Sequence, residues 1–139
     1  MAISYHTEDC TLRFGNRRTV NRWIADTIAA EGRKRGDIAV IFCSDDYLLE
    51  INRKHLEHDY YTDIITFDYG EEDWVSGDLF ISIDTVRSNA QEYGVSFLQE
   101  LHRVIIHGVL HLCGYGDKSP SEAEIMRAKE DFYLSLLST

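Results

Sequence analysis

Asp37-Ile-Ala-Val-Ile-Phe-Cys43 is the stretch on which the fold turns. It carries a single charge, at its first residue, and no alternation of apolar and polar positions interrupts it. A strand with one wetted face alternates, whereas a strand covered on both faces does not. The run therefore predicts a buried strand with structure packed above and below. Upstream, Val20, Trp23, Ile24 and Ile28 keep helical spacing between Thr19 and Glu31, and Gly32 supplies a stop. Ile3 to Glu8, extended by Leu12 to Phe14, reads as a first strand or ragged hairpin. Strand, helix, strand at this spacing predicts a βαβ-like start with a right-handed crossover.

Downstream, Ser44 or Asp45 caps a second helix carrying Leu48, Leu49 and Ile51. A polar and aromatic stretch, Asn52 to Tyr61, follows and holds His55 and His58. Asp63-Ile-Ile-Thr-Phe-Asp68 reads as a strand. The turn-rich residues 70–77 lead to a last strand, Asp78 to Ile83, antiparallel to its predecessor. Asp84 caps a helix whose Val86, Ala90 and Tyr93 share a face. Ser96-Phe-Leu-Gln99 is a capping box opening a helix that runs to Cys113 before Gly114. Ser119-Pro-Ser-Glu122 is a second box with proline at the first helical position, and its helix runs to about Leu137. Strands early and helices late predict an α+β fold, with a small mixed sheet of about four strands packed against about five helices. The length, 139 residues, suits a single domain spanning 1–139.

Charge narrows the partners. Residues 1–60 hold 9 Lys/Arg against 10 Asp/Glu, and residues 61–139 hold 5 against 14. The net of −10 thus comes from the C-terminal half, and no overall field draws in nucleic acid. DNA is not expected as a partner, and RNA must meet a local basic surface. Arg17, Arg18, Arg22 and Arg33-Lys34-Arg35 are the candidates, as a phosphate-contacting patch or as a solvated face. Cys10, Cys43 and Cys113 show no C-x-x-C spacing and read as reduced thiols in a cytoplasmic protein. No apolar run approaches the ~18 residues of a membrane span, and the opening residues lack the basic and apolar parts of an export signal.

Chemistry concentrates at His107-Gly-Val-Leu-His111-Leu-Cys-Gly114-Tyr-Gly-Asp117. Histidines at i and i+4 lie one turn apart on one helix face, where both imidazoles can grip one ion. Gly114 can end the helix in a left-handed turn, and Asp117 lies far enough along to fold back onto the same ion. Two imidazoles and a carboxylate, His107, His111 and Asp117, suit one zinc per chain, with nickel or another divalent metal also fitting. Three protein ligands leave a position for water, the arrangement of a hydrolytic site. The spacing is near that of H-E-x-x-H zinc peptidases, but Gly108 stands where their glutamate takes the proton. A small residue there also lets another segment approach the helix. Cys113, on another face, reads as packing.

These residues resemble a known family. HGVLHLCGYGD is similar to the H-G-x-L-H-L-x-G-Y-D-H signature of the YbeY-type endoribonucleases. Ile51-Asn52 with Thr62-Asp-Ile-Ile-Thr-Phe67, and Gly77-Asp-Leu-Phe-Ile-Ser82, resemble two further family motifs in the same order. The resemblance implies a metal-dependent endoribonuclease directed at single strands in 16S rRNA maturation and ribosome quality control. It implies rRNA, the small ribosomal subunit and its assembly factors as partners. It also implies His107 and His111 as the first two ligands and, ungapped, Asp117 in place of the third histidine. A gapped alternative sets Lys118 there, but a protonated lysine is a poor ligand. The family's phosphate-steering arginine aligns with Leu56, and Arg53, one turn back, is the candidate substitute. Catalytic roles thus fall on Arg53, His107 and His111. The rivals are a metal hydrolase acting on another substrate, such as a peptide, and a ribosome-associated RNA-binding module with a structural metal.

Overall fold

In a computed structural model, which describes residues 2–56 and 61–137, the apolar run lies inside β2, Lys34–Cys43. Its neighbours are β1 (Ile3–Glu8) on one side and β4 (Trp74–Ser82) on the other, both parallel to it. β3 (Ile64–Asp68) closes the sheet antiparallel to β4, giving the order β1-β2-β4-β3. The sheet is therefore mixed, with one antiparallel edge. The helices are α1 (Arg17–Ala30), α2 (Asp45–Leu56), α3 (Ile83–Tyr93), α4 (Phe97–Leu112) and α5 (Pro120–Ser135). The expected α+β architecture is what the chain adopts, and α1 is the crossover between the parallel pair β1 and β2.

Both faces of β2 are covered, as its composition demands. Ile38, Val40 and Phe42 enter the large core with α1 and α4, while Cys43 joins Leu48 of α2 and Ile65 of β3 in a smaller one. α4 is the spine of the large core: Leu101, Val104, Ile105, Ile106, Val109, Leu110 and Leu112 are all buried. Burying one such side chain contributes about 1.5–3 kcal/mol, so the helix bearing both histidines is tightly anchored. Gly108 sits where α4 meets the sheet. A Cβ there would come within 2.7 Å of Ile64 Cδ1 and 3.0 Å of Leu79 Cδ2.

Several boundaries move from their expected places. Residues 12–14 form no strand: Phe14 instead plugs the core, its ring 5.0 Å from Tyr5 and 5.3 Å from Phe42. α2 runs on to Leu56, so Arg53 and His55 are helical, and Ser44 caps it by accepting from Tyr47 N at 3.1 Å. His58 lies outside the described residues. β4 begins at Trp74 because pairing with Lys34 and Arg35 draws residues 74–77 out of the turn. Ser82 rather than Asp84 caps α3, accepting from Thr85 N at 3.2 Å, so Ile83 is helical. Both capping boxes form as written, at Ser96/Gln99 and Ser119/Glu122.

Candidate metal centre

α4 ends at Leu112, and Gly114 takes φ 109°, which turns the chain back toward the helix it has just left. That reversal brings Asp117 over the two histidines. Asp117 Oδ2 lies 3.2 Å from His107 Nε2 and 3.3 Å from His111 Nε2, and the two Nε2 atoms are 2.9 Å apart. Lys118, the gapped alternative, is exposed and takes no part in this group.

The hydrogen bonds behind the rings decide what this triangle is. His111 Nδ1 lies 2.8 Å from the carbonyl oxygen of Tyr115. A carbonyl can only accept, so Nδ1 carries the proton and Nε2 of a neutral ring is a lone pair. His107 Nδ1 lies 2.6 Å from Oε2 of Glu130, a buried carboxylate on α5. Burial alone pushes Glu130 up, but His107 and Arg103 hold it below the usual carboxylate range. It is thus an acceptor, and His107 has the same tautomer as His111. With both rings neutral, three acceptor atoms converge, an arrangement that calls for a positive charge at their centre, either a proton or a metal ion. His107 expresses the same demand. Burial opposes its charged form, yet Glu130, with Asp63 and Asp117, raises its pKa above the ordinary histidine value. The separations suit a small cation with ligand bonds of roughly 2.0–2.2 Å. His107, His111 and Asp117 can hold a metal ion.

Further residues fix this group, and sequence reading missed them. Arg103 bridges Glu130 at 2.8 Å and Asp131 at 2.7 Å, tying α4 to α5. Tyr115, whose carbonyl orients His111, donates its hydroxyl to Glu31 at 2.5 Å. Glu31 also accepts from Tyr133 and pairs with Lys129 at 3.1 Å. Asp63, half-buried beside His107, is pushed up chiefly by burial. Glu130 did carry a signal. It lies four residues after buried Met126 and three before buried Tyr133, a carboxylate in the core stripe of a helix.

The remaining candidates lie elsewhere. Arg53 sits on the exposed side of α2, its Nη1 3.2 Å from Glu50 Oε1, and α2 contributes no wall to the cavity beside His107. His55 packs edge-on against Phe67. The basic patch is partly structural: Arg33 donates to the Cys113, Glu72 and Asp73 carbonyls, Arg17 covers the Tyr5 ring, and Lys34 covers Trp74. Cys113 packs against the large core, and burial pushes its thiol up to about 11. Among the described residues no helix is long and apolar enough to cross a membrane.

Fold and site together define a class: a small α+β protein whose helix-borne imidazole pair and loop carboxylate form a group able to hold a metal ion. The model of one family, described as endoribonuclease YbeY, matches residues 2–138. A protein of that name from Phocaeicola vulgatus is 57% identical across 98% of this chain and 99% of its own. One from Bacteroides thetaiotaomicron is 53% identical over the same shares. A Thermotoga maritima protein solved in solution is similar in fold, with a TM-score of 0.69 at 27% identity over 98% of this chain and 89% of that one. The chain belongs to the endoribonuclease YbeY family.

Proposed function

We propose that the protein is a metal-dependent endoribonuclease that cuts single-stranded RNA and acts in 16S rRNA maturation and ribosome quality control. Family membership supports the RNA substrate. The observation that carries the metal dependence is the meeting of three potential ligand atoms, His107 Nε2, His111 Nε2 and Asp117 Oδ2, with each ring held from behind at Nδ1. Zinc is the ion that best suits two imidazoles and a carboxylate in this arrangement. When bound, such an ion supplies Lewis acidity toward water and toward a phosphate oxygen.

The protein's own groups do the rest. Glu130 and the Tyr115 carbonyl hold each imidazole in the tautomer that presents Nε2. Asp117 adds a negative charge where the family pattern has a neutral imidazole, so the site is harder and less positive. Arg53, one turn before Leu56, takes the part of the missing arginine by meeting a phosphate of the approaching strand. Peptidase chemistry finds no support. Gly108 is pressed against Ile64 and Leu79, with no room for the glutamate that those enzymes place there.

The test is cleavage of single-stranded rRNA fragments by metal-loaded protein, beside elemental analysis of protein purified without chelators. His111→Ala is expected to abolish cleavage and stoichiometric metal binding while the circular-dichroism spectrum stays native. Cleavage that persists in that variant would refute the proposal. So would a protein with a structural metal, in which the substitution lowers the melting temperature and wild type cuts nothing. Ends bearing a 2′,3′-cyclic phosphate would assign the nucleophile to the RNA 2′-hydroxyl rather than to water.

A further inference from the structure

Asp117 is the ligand whose place the two imidazole braces do not explain. Its side chain is 41% exposed, and it stands on a loop rather than on a helix. The turn between α1 and β2 reaches that loop. α1 ends in a Schellman turn: Gly32, at φ 74°, donates to the Ala29 carbonyl at 2.9 Å, and Arg33 N donates to the Ile28 carbonyl at 3.0 Å. A turn closed by two such bonds leaves little backbone freedom to the residues on either side of the glycine, Glu31 and Arg33.

Both of their side chains go to the segment that leads to Asp117. Glu31 accepts from the Tyr115 hydroxyl, and Arg33 Nη1 donates to the Cys113 carbonyl at 2.8 Å. Cys113 is the C-cap of α4, so its carbonyl lies at the helix end that is short of donors and carries the negative end of the dipole. The other two nitrogens of the same guanidinium go to the turn between β3 and β4. Nη2 donates to the Glu72 carbonyl at 3.2 Å and Nε to the Asp73 carbonyl at 3.4 Å. One half-buried cation thus ties its own turn to two others, in each case through a backbone carbonyl. A rigid planar fork can hold three acceptors in this way, and a lysine ammonium on a flexible stem cannot replace it.

The contact at Cys113 falls at the start of the reversal. The next residue is Gly114, at φ 109°, and its turn sets where Tyr115 and Asp117 come to lie. The Tyr115 carbonyl holds His111 Nδ1, and Asp117 Oδ2 meets both imidazoles. We propose that Arg33 is a positioning residue for the metal group: with Glu31 it clamps residues 113–115 and, through them, fixes the reach of Asp117. This role takes Arg33 out of the basic patch as a phosphate contact. The proposal rests on the metal-dependent reading above and adds to it what places the third ligand.

The readout is the zinc affinity of the full-length protein, measured against a chromophoric chelator with no RNA present. Arg33→Met is expected to weaken it roughly tenfold, as for loss of an outer partner of a metal site. Arg33→Lys, which keeps the charge and one bond, should fall between that variant and wild type. Arg17→Met is the control. It removes an arginine that donates to the Phe14 carbonyl at 3.3 Å, at the other end of α1, and should leave zinc affinity unchanged. In the Asp117→Ala background, where two imidazoles still bind zinc more weakly, Arg33→Met should change affinity by no more than about twofold, because the residue it positions is gone. An equal loss in both backgrounds overturns the clamp, as does a loss matched by Arg17→Met. Should Arg33→Met fail to fold, Arg33→Lys is compared with wild type in the same two backgrounds, and equal affinities overturn it. Wild type that takes up no zinc refutes the metal reading and the clamp together, whereas zinc uptake indifferent to Arg33 removes the clamp alone.

Discussion

The two sides of the sheet hold their functional candidates in opposite ways. On the α4 side both imidazoles of the metal triangle are braced from behind. His107 leans on Glu130, His111 on the Tyr115 carbonyl, and Tyr115 in turn on Glu31. On the α2 side Arg53 is about half exposed and pairs one turn along its own helix, with Glu50. Among the described residues, the smaller core beneath α2 has Cys43, Leu48 and Ile65 as its buried members. The difference follows from the tasks. A metal site loses its ion when a ligand shifts by a fraction of an ångström, so its two imidazoles are half-buried and each is held at its second nitrogen. A cation that meets a flexible polyanion acts at longer range and tolerates being moved along a helix. On the proposed reading, an arginine can be absent at Leu56 without disturbing the fold, whereas the third ligand position keeps a group able to bind metal, Asp117.

After His111→Ala, the substitution that should strike the braced side hardest is Glu130→Gln. It keeps an oxygen near His107 Nδ1 but removes the charge that makes Nε2 a better ligand. Metal affinity should fall roughly 10–100-fold in competition with a chromophoric chelator. Arg103 would keep Asp131 alone, so stability should drop by up to about 3 kcal/mol in urea denaturation. Unchanged metal affinity would show that the brace is only structural.

Glu31 tests the brace one step further out. Burial pushes its carboxyl up, but the Tyr115 and Tyr133 hydroxyls and Lys129 outweigh that and hold it below its ordinary value of 4.5. A carboxyl with a lowered folded pKa contributes stability that is present above its unfolded value and lost as pH falls through the folded one. Wild-type stability should therefore decline as pH falls below about 4.5, and Glu31→Gln should flatten that part of the profile. At neutral pH the variant should lose about 1–3 kcal/mol. Its metal should also dissociate faster, because the Tyr115 carbonyl no longer has a fixed anchor. A pH profile identical to wild type would remove Glu31 from the account.

The same contrast governs how much could be read from the chain alone. The apolar run at 37–43, the two capping boxes and the i, i+4 histidines are local patterns, and each appears where its spacing put it. Asp117 was legible because a glycine turn and a short loop leave the chain few ways to return. Glu130 and Glu31 escaped because their partners are 23 and 84 or more residues away, and no local period encodes such pairings. Ser82 displaced Asp84 as a cap because the side chain of Asp84 accepts from Asp45 N instead, joining the starts of α2 and α3. The Arg33 contacts likewise depend on the turn at 72–73 meeting the end of α4, which only the assembled sheet brings about.

The smallest structural effect, and the sharpest test of the comparison, is expected at Arg53. Its pairing with Glu50 is exposed and spaced i, i+3, worth a few tenths of a kcal/mol. Arg53→Ala should therefore leave the melting curve within about 0.5 kcal/mol of wild type. If Arg53 stands in for the family arginine, the same change should lower kcat/KM for single-stranded RNA by at least roughly tenfold, the loss of one charge-assisted contact in the transition state. Leu56 is 40% exposed, so an arginine placed there need not disturb the core. Leu56→Arg in the Arg53→Ala background should then restore cleavage, because a guanidinium one turn along the helix can reach the same phosphate. Cleavage that ignores Arg53 while responding to Leu56→Arg would mean that the α2 side has no working cation in this protein. The metal group and its braces would then carry the developing phosphate charge alone.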